Sequence, residues 1–243
     1  MSAFDYIRSE PGPAPLGLIV LQVDETIEAD MRALLPEGQP LFVTRIPSGA
    51  EVTPESLRAM RGQIASAAGL LPSARGFACV GYGCTSATAQ IGAEAVADLV
   101  QAGVATARVS DPLTACRAAC AALGITRLAL LSPYVASVSE RLRAALGAGG
   151  IATPVFGSFN EPVEANVARI DPASTVAAAT ELARQGGVEA IFLSCTNLRT
   201  LAAIPEIEAA TGLPCLSSNQ VLAWHMGARG KLPGRLAQVR SQA

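Results

Sequence analysis

GFACVGYGCTSATAQ (residues 76–90) runs from an apolar stretch into Cys84, followed by hydroxyl residues and a helix-forming tail. AIFLSCTNLRT (190–200) repeats that plan around Cys195. A short apolar run bounded by glycine and small polar residues reads as a buried strand. A strand that ends in a polar loop presents that loop at the carboxyl edge of a sheet, where open parallel sheets take their ligands. Cys84 and Cys195 lie 111 positions apart, and the same offset carries LGLIVLQVD (16–24) close to TRLALLSPYV (126–135). RVSDPLTA (108–115) resembles CLSSNQVLA (215–223) at nearly the same spacing. The chain is read as a duplication, with the two cysteine loops facing one cleft.

The rest of the chain agrees. LFVTRI (41–46), RLALLS (127–132) and IATPVFG (151–157) are further apolar runs, separated by alanine-rich amphipathic stretches. That alternation predicts an α/β fold of two similar Rossmann-like domains, each a small parallel sheet flanked by helices, with the active site between them. The expected division is 1–107 plus 218–243 against 108–217, the C-terminal helix crossing back to the first half. Thr53 followed by Pro54 predicts a helix start for TPESLRAMRGQIASAAGLL (53–71), and similar helices fit 87–101, 135–147 and 173–185.

Half of the 243 residues are apolar, 16% are charged and the net charge is -2. These totals carry no attraction for nucleic acid or an anionic membrane, so the expected partner is a small molecule. MSAFDYIRSEPGPAP (1–15) mixes Asp5, Arg8 and Glu10 with prolines, unlike a basic-then-apolar secretory signal; it predicts a tail and a cytoplasmic location. The uncharged stretch 76–93 is rich in Gly, Ser and Thr and fits a soluble strand-loop-helix unit. The six cysteines are expected to be reduced, no CxxC pair occurs, and the single histidine, His225, has no partner histidine. No metal and no cofactor are expected, and His225 reads as a helix-packing residue.

A thiol is too weakly acidic to act at neutral pH unless its surroundings favour the thiolate, and a following helix N-terminus does so. Both loops offer that setting. A planar carbon has two faces, and a thiol on each can move a proton, or attack, from opposite directions. The neighbouring hydroxyls and free amides suit a substrate carboxylate. Cys79, Cys116, Cys120 and Cys215 read as small core residues.

GCTS and SCTN after strands, SPYV (132–135) and SSNQVLAWH (217–225) resemble the cofactor-independent aspartate/glutamate racemase superfamily, on the branch of maleate isomerase and arylmalonate decarboxylase. LGLIVLQVDETIEADM, RIPSGAEVTPESL, ARIDPAS and FLSCTNLRTL look most like the ectoine/hydroxyectoine-utilisation A-type proteins within it. The resemblance covers nearly the whole chain. It implies Cys84 and Cys195 as the catalytic pair, Tyr134 as a hydrogen-bond partner of the substrate, and Thr85, Ser86, Thr196 and Asn197 as holders of a carboxylate. Where maleate isomerases carry an asparagine in the first strand-helix loop, this chain has Asp24, and a second asparagine of theirs falls near Glu164 or Asn166. An added carboxylate repels a dicarboxylate and pairs with an ammonium or amidinium. Asp24 reads equally well as a helix cap. Arg45 and Arg199 read as substrate contacts or as structural ion-pair partners.

The expected function is a cofactor-independent isomerase of racemase or epimerase type acting on a small carboxylate or amino acid in ectoine or hydroxyectoine degradation, as a homo-oligomer. Maleate cis-trans isomerisation by cysteine addition is the second reading, and a two-domain carboxylate-binding protein the third.

Overall fold

The computed structural model describes residues 3–228 and 231–240, so parts of the expected N-terminal tail and C-terminal segment lie outside the described residues. The first half runs β1 (Leu16–Leu21), α1 (Ile27–Leu34), β2 (Leu41–Ile46), α2 (Pro54–Ala59), α3 (Ile64–Ala68), β3 (Cys79–Gly83), α4 (Thr85–Ile91), α5 (Ala93–Gly103) and β4 (Val109–Ser110). After α6 (Pro112–Leu123) the second half follows: β5 (Arg127–Ser132), α7 (Ala136–Ala148), β6 (Ala152–Ser158), α8 (Glu164–Val167), α9 (Pro172–Arg184), β7 (Ala190–Leu193), α10 (Ala203–Thr211), β8 (Cys215–Ser217) and α11 (Ser218–His225).

The strands form two parallel four-stranded sheets of the same order, β2-β1-β3-β4 and β6-β5-β7-β8. The first three strands of each half start 111 residues apart, at 16 and 127, 41 and 152, and 79 and 190. The ladders pair Val20 with Gly83 and Leu131 with Leu193, so β3 and β7 end beside β1 and β5 and release their loops at equivalent edges. The duplicated α/β reading is the observed architecture.

Three expectations change in detail. The helix expected over 53–71 is broken into α2, a 3-10 turn over Met60–Gln63, and α3. Gly62 sits in that turn, and glycine costs a helix interior about 1 kcal/mol. The helix expected over 87–101 is two helices divided at Gly92, whose φ of 96° is open to glycine and strained for other residues. The expected boundary after residue 107 cuts β4 from its sheet, because Val109 and Ser110 pair with Val80 and Gly81 of β3. The chain crosses over at α6.

Equivalent caps start the two crossing helices. Asp111 accepts from the amides of Leu113 and Thr114 ahead of α6, and Ser217 forms a capping box with Gln220 ahead of α11. α6 packs against α11, and α11 reaches α1 and β3 of the first half. The core between the sheets therefore mixes both halves: Leu18 and Met31, Cys116 and Cys120, Leu130 and Phe192, Leu222 and Trp224 belong to one buried cluster. Burial of this kind is worth about 1.5–3 kcal/mol for each large apolar side chain, and it fixes one half against the other. No helix among the described residues is long and apolar enough to cross a membrane.

The contact between α3 and α5 has no room for a side chain. A Cβ at Gly103 would stand 2.2 Å from the carbonyl oxygen of Ala65, a backbone atom that cannot turn away. Gly103→Ala should lower stability by about 1–3 kcal/mol in urea unfolding. Gly147→Ala, where the added carbon meets nothing within 4 Å, should be neutral or slightly stabilising, and equal effects of the two changes would refute the close-packing account.

Candidate active site

The carboxyl ends of β1, β3 and β7 meet at a small pocket with about 260 Å³ of free space, its mouth included. Leu21 ends β1, with Val23 and Asp24 in the loop that follows; Cys84 links β3 to α4, which Thr85 and Ser86 open. Tyr134, Glu164, Cys195 and Thr196 come from the other half. The two cysteines therefore enter one pocket from opposite halves.

Cys84 is the N-cap of α4, and its Sγ accepts the Ala87 amide at 3.3 Å. The sequence suggests that such amides lower the thiol pKa. They do pull it down, yet burial outweighs them, and with Glu164 and Asp24 nearby the thiol is pushed up to about 12. Cys195 is likewise pushed well up, first by burial and then by Glu164. In a dry pocket the cost of desolvating an anion exceeds what two or three N–H dipoles return. An empty resting site therefore holds both cysteines as thiols unless another group takes a proton.

Cys195 is also strained. Its φ is 133°, a region that side chains with a Cβ rarely adopt, and Asn160 is the other non-glycine residue with positive φ among those described. Such strain costs about 1–3 kcal/mol and persists where surroundings over-determine it. Here the Cys195 amide donates to Ser218 Oγ at 3.0 Å, and the Asn197 amide donates to Cys195 Sγ at 3.3 Å. Tyr134 Oη lies 2.8 Å from the same sulfur.

The two carboxyls differ. Asp24 is 4% exposed, its Oδ1 accepts the amides of Thr26 and Ile27 at 2.8 Å each, and its Oδ2 has no partner among the described residues. The cap reading is realised by one oxygen, and the other makes no hydrogen bond in a residue that lines the pocket. Glu164 has both oxygens engaged, Oε1 by the Tyr134 hydroxyl at 2.7 Å and Oε2 by Asn197 Nδ2 at 2.9 Å. Burial raises the pKa of both acids, and the nearby Asp24 raises that of Glu164 further. Among the described residues no arginine, lysine or histidine lines the pocket. Asn166, the alternative to Glu164, is exposed.

The remaining expected site residues divide. Ser86 lines the pocket with a hydroxyl that makes no hydrogen bond to the described residues. Thr85 shares a 2.8 Å hydrogen bond with Ser218, and Thr196 donates to the Gly83 carbonyl at 3.2 Å while still lining the pocket. Asn197 departs from expectation: it does not line the pocket. Its Nδ2 serves Glu164 and its Oδ1 accepts the Glu25 amide at 2.9 Å, so neither end is free for a carboxylate. Tyr134 lines the pocket, but its hydroxyl is engaged by Glu164 and Cys195. Arg45 clamps the carbonyls of Leu21, Gln22 and Asp24 and pairs with Glu28, and Arg199 is an exposed residue reaching the Ile170 carbonyl, so both are structural. His225 meets the Ser110 hydroxyl at 2.7 Å, and burial depresses its pKa to about 4. Among the described residues no group of three or more His, Cys, Asp or Glu is placed to hold a metal ion.

The family model described as arylmalonate decarboxylase matches residues 16–240. The chain belongs to the arylmalonate decarboxylase family. Arylmalonate decarboxylase of Bordetella bronchiseptica is 37% identical over 106 residues, an alignment covering 42% of this chain and 43% of that protein, less than half of each. Among solved structures, maleate isomerase of Pseudomonas putida S16, a cysteine-to-alanine variant with maleate, superposes with a TM-score of 0.81 at 23% identity, covering 92% of this chain and 97% of that one. A liganded double variant of arylmalonate decarboxylase gives 0.78 at 26%, covering 92% and 98%. Nocardia farcinica maleate cis-trans isomerase with a covalently bound succinylcysteine intermediate gives 0.79 at 24%, covering 93% and 98%. The two-sheet fold of this chain is the fold of these family structures.

The strain at Cys195 yields a stability test. Cys195→Gly should be more stable than Cys195→Ala by about 1 kcal/mol, because only glycine takes this φ freely. The usual order, in which alanine is the more stable by 0.4–1 kcal/mol, measured by urea unfolding, would show that the backbone is unstrained there.

Proposed function

We propose that this protein is a cofactor-independent isomerase of racemase or epimerase type, acting on a small carboxylate that also carries a positive group. The observation that supports it is the free, buried Oδ2 of Asp24 in a pocket that holds two thiols and, among the described residues, no cationic side chain. A buried carboxylate without a cation is costly, and a bound ammonium or amidinium about 4 Å away returns roughly 4 kcal/mol at an effective dielectric near 20. The Ser86 hydroxyl supplies a contact for the substrate carboxylate. One cysteine thiolate removes the proton next to that carboxylate, and the opposite thiol protonates the other face. The likeness to hydroxyectoine-utilisation proteins makes hydroxyectoine, a cyclic amidine acid, the first compound to try.

Cis-trans isomerisation of maleate is the second reading. In its favour stands the cysteine adduct named for the Nocardia farcinica isomerase. Against it stand Asp24 and Glu164, which set two carboxyls against a dianion.

Proton NMR in deuterium oxide separates the readings: deuterium entering the carbon beside the carboxylate indicates proton transfer, and a change in olefin geometry indicates addition. Cys84→Ser and Cys195→Ser should each abolish full turnover with the fold intact, because a serine hydroxyl is too weak an acid to replace a thiol. Asp24→Asn should shift the ratio of kcat/KM for a zwitterionic or amidinium substrate over maleate about tenfold to a hundredfold towards maleate, corresponding to about 1–3 kcal/mol of repulsion removed. An unchanged ratio would leave Asp24 as a helix cap alone.

A further inference from the structure

The two thiols stand in unequal surroundings. Among the described residues, the hydrogen-bond partner of Cys84 Sγ is a backbone amide of its own helix turn, that of Ala87 at 3.3 Å. Cys195 Sγ is 2.8 Å from Tyr134 Oη, which is 2.7 Å from Glu164 Oε1. Sulfur, phenol and carboxyl thus form one continuous chain, and each of the three residues is 4% exposed. The duplication sharpens the contrast. The positions 111 residues before Tyr134 and Glu164 hold Val23 and Thr53, so the first half has no phenol and no acid at those positions. Val23 lines the same pocket and offers Cys84 nothing to exchange a proton with.

A phenol carries one proton. With Glu164 ionised, that proton points to Oε1, and the Cys195 S–H must point to the phenol oxygen. We propose that Glu164, acting through Tyr134, takes the proton of Cys195 and makes it the thiolate of the pair, leaving Cys84 as the thiol. This inference rests on the two-cysteine reading of the site. The step moves two protons together: the S–H bond of Cys195 breaks as an O–H bond forms at Tyr134 Oη, and the phenolic O–H breaks as one forms at Glu164 Oε1. The negative charge passes from carboxylate to sulfur, and the total charge and proton count stay constant. No proton needs to reach water, which matters where every member is buried.

The neighbouring groups fit that task. Burial raises the proton affinity of Glu164 and of Cys195 alike, so the transfer rests on the unbroken hydrogen-bonded chain between them. Asn197 holds the other carboxyl oxygen, and its own amide points at the sulfur at 3.3 Å. The ionisable groups facing the sulfur are Tyr134, Glu164, Asp24 and, across the pocket, Cys84. A cation bound at Asp24 favours the charged sulfur as well. Glu164 is a positioning residue in this scheme: it decides where the proton rests and does not touch the substrate.

The test needs no substrate, so it stands apart from whether the substrate class is right. Wild-type protein is treated with iodoacetamide between pH 6 and 9, and modification of Cys84 and Cys195 is followed separately by peptide mass spectrometry. Cys195 should react faster at pH 7, and Glu164→Gln should slow it about tenfold or more while its pH profile moves upward, since one pKa unit is a tenfold change in thiolate. Tyr134→Phe, which removes one oxygen and keeps the ring, should do the same; it carries the test if Glu164→Gln does not fold. Cys84, whose thiol the Glu164 charge raises, should not slow in either variant. If Glu164 acts only as a nearby negative charge, Glu164→Gln will speed Cys195 instead, and that sign overturns the relay. Unchanged Cys195 rates, or a wild-type Cys195 that does not react over this range, overturn it too.

Discussion

One hydroxyl joins the two halves of the site. Ser218 Oγ accepts the amide of Cys195 at 3.0 Å and lies 2.8 Å from the hydroxyl of Thr85, the residue after Cys84. It is fully buried and sits at the start of α11, the helix that returns from the second sheet to the first. Its position depends on the Ser217–Gln220 capping box and on the packing of α11 against α6. Moving α11 would therefore disturb both cysteine loops together, although neither cysteine lies on it. The strained φ of Cys195 depends on the same contact, since a hydrogen bond from a strained amide to a fixed buried oxygen is what holds an unfavourable backbone angle in place.

Charge is the second constraint. Asp24, Glu164 and two thiols share a pocket that no cationic side chain lines among the described residues, and a low-dielectric site of that kind cannot ionise all its acids at once. The protein answers with hydrogen bonds of different completeness. Glu164 is satisfied at both oxygens and Asp24 at one. A satisfied carboxylate belongs to the framework, and a half-satisfied one is an invitation to a ligand.

Much of this was legible in the sequence. The apolar runs at 16–21 and 127–132 are observed strands, because a strand buried on both faces needs continuous apolar residues and shows them plainly, and 41–46 is the edge strand beside the first of them. Cys84 and Cys195 stood out because their loops repeat. β4 and β8 passed unnoticed as strands, being two and three residues long, too short for any period. Gly62 and Gly92 broke helices that the apolar pattern joined. Asn197 was assigned to a carboxylate because its neighbours Cys195 and Thr196 face the pocket; which way a loop side chain turns is set by distant partners, here Glu164 and Glu25, that local sequence does not reveal. Ser218 was quoted within SSNQVLAWH, yet its role depends on a crossing helix arriving between two loops far away in the chain.

The exchange of Val23 for Tyr134 at matching positions of the two halves has a consequence for any mirror-image pair of substrates. Two enantiomers have equal free energy, so the equilibrium constant between them is one, whatever the catalyst looks like. Forward and reverse kcat/KM must therefore be equal even though the two faces of the carbon meet a thiol beside a phenol on one side and a thiol beside an isopropyl group on the other. The lopsidedness of the pocket can appear only as paired differences, a tighter-held enantiomer turning over more slowly and its mirror image binding loosely and turning over fast. On the proposed racemase reading, the repeated halves supply one thiol each, and the broken symmetry at 23 and 134 sets how differently each enantiomer is gripped.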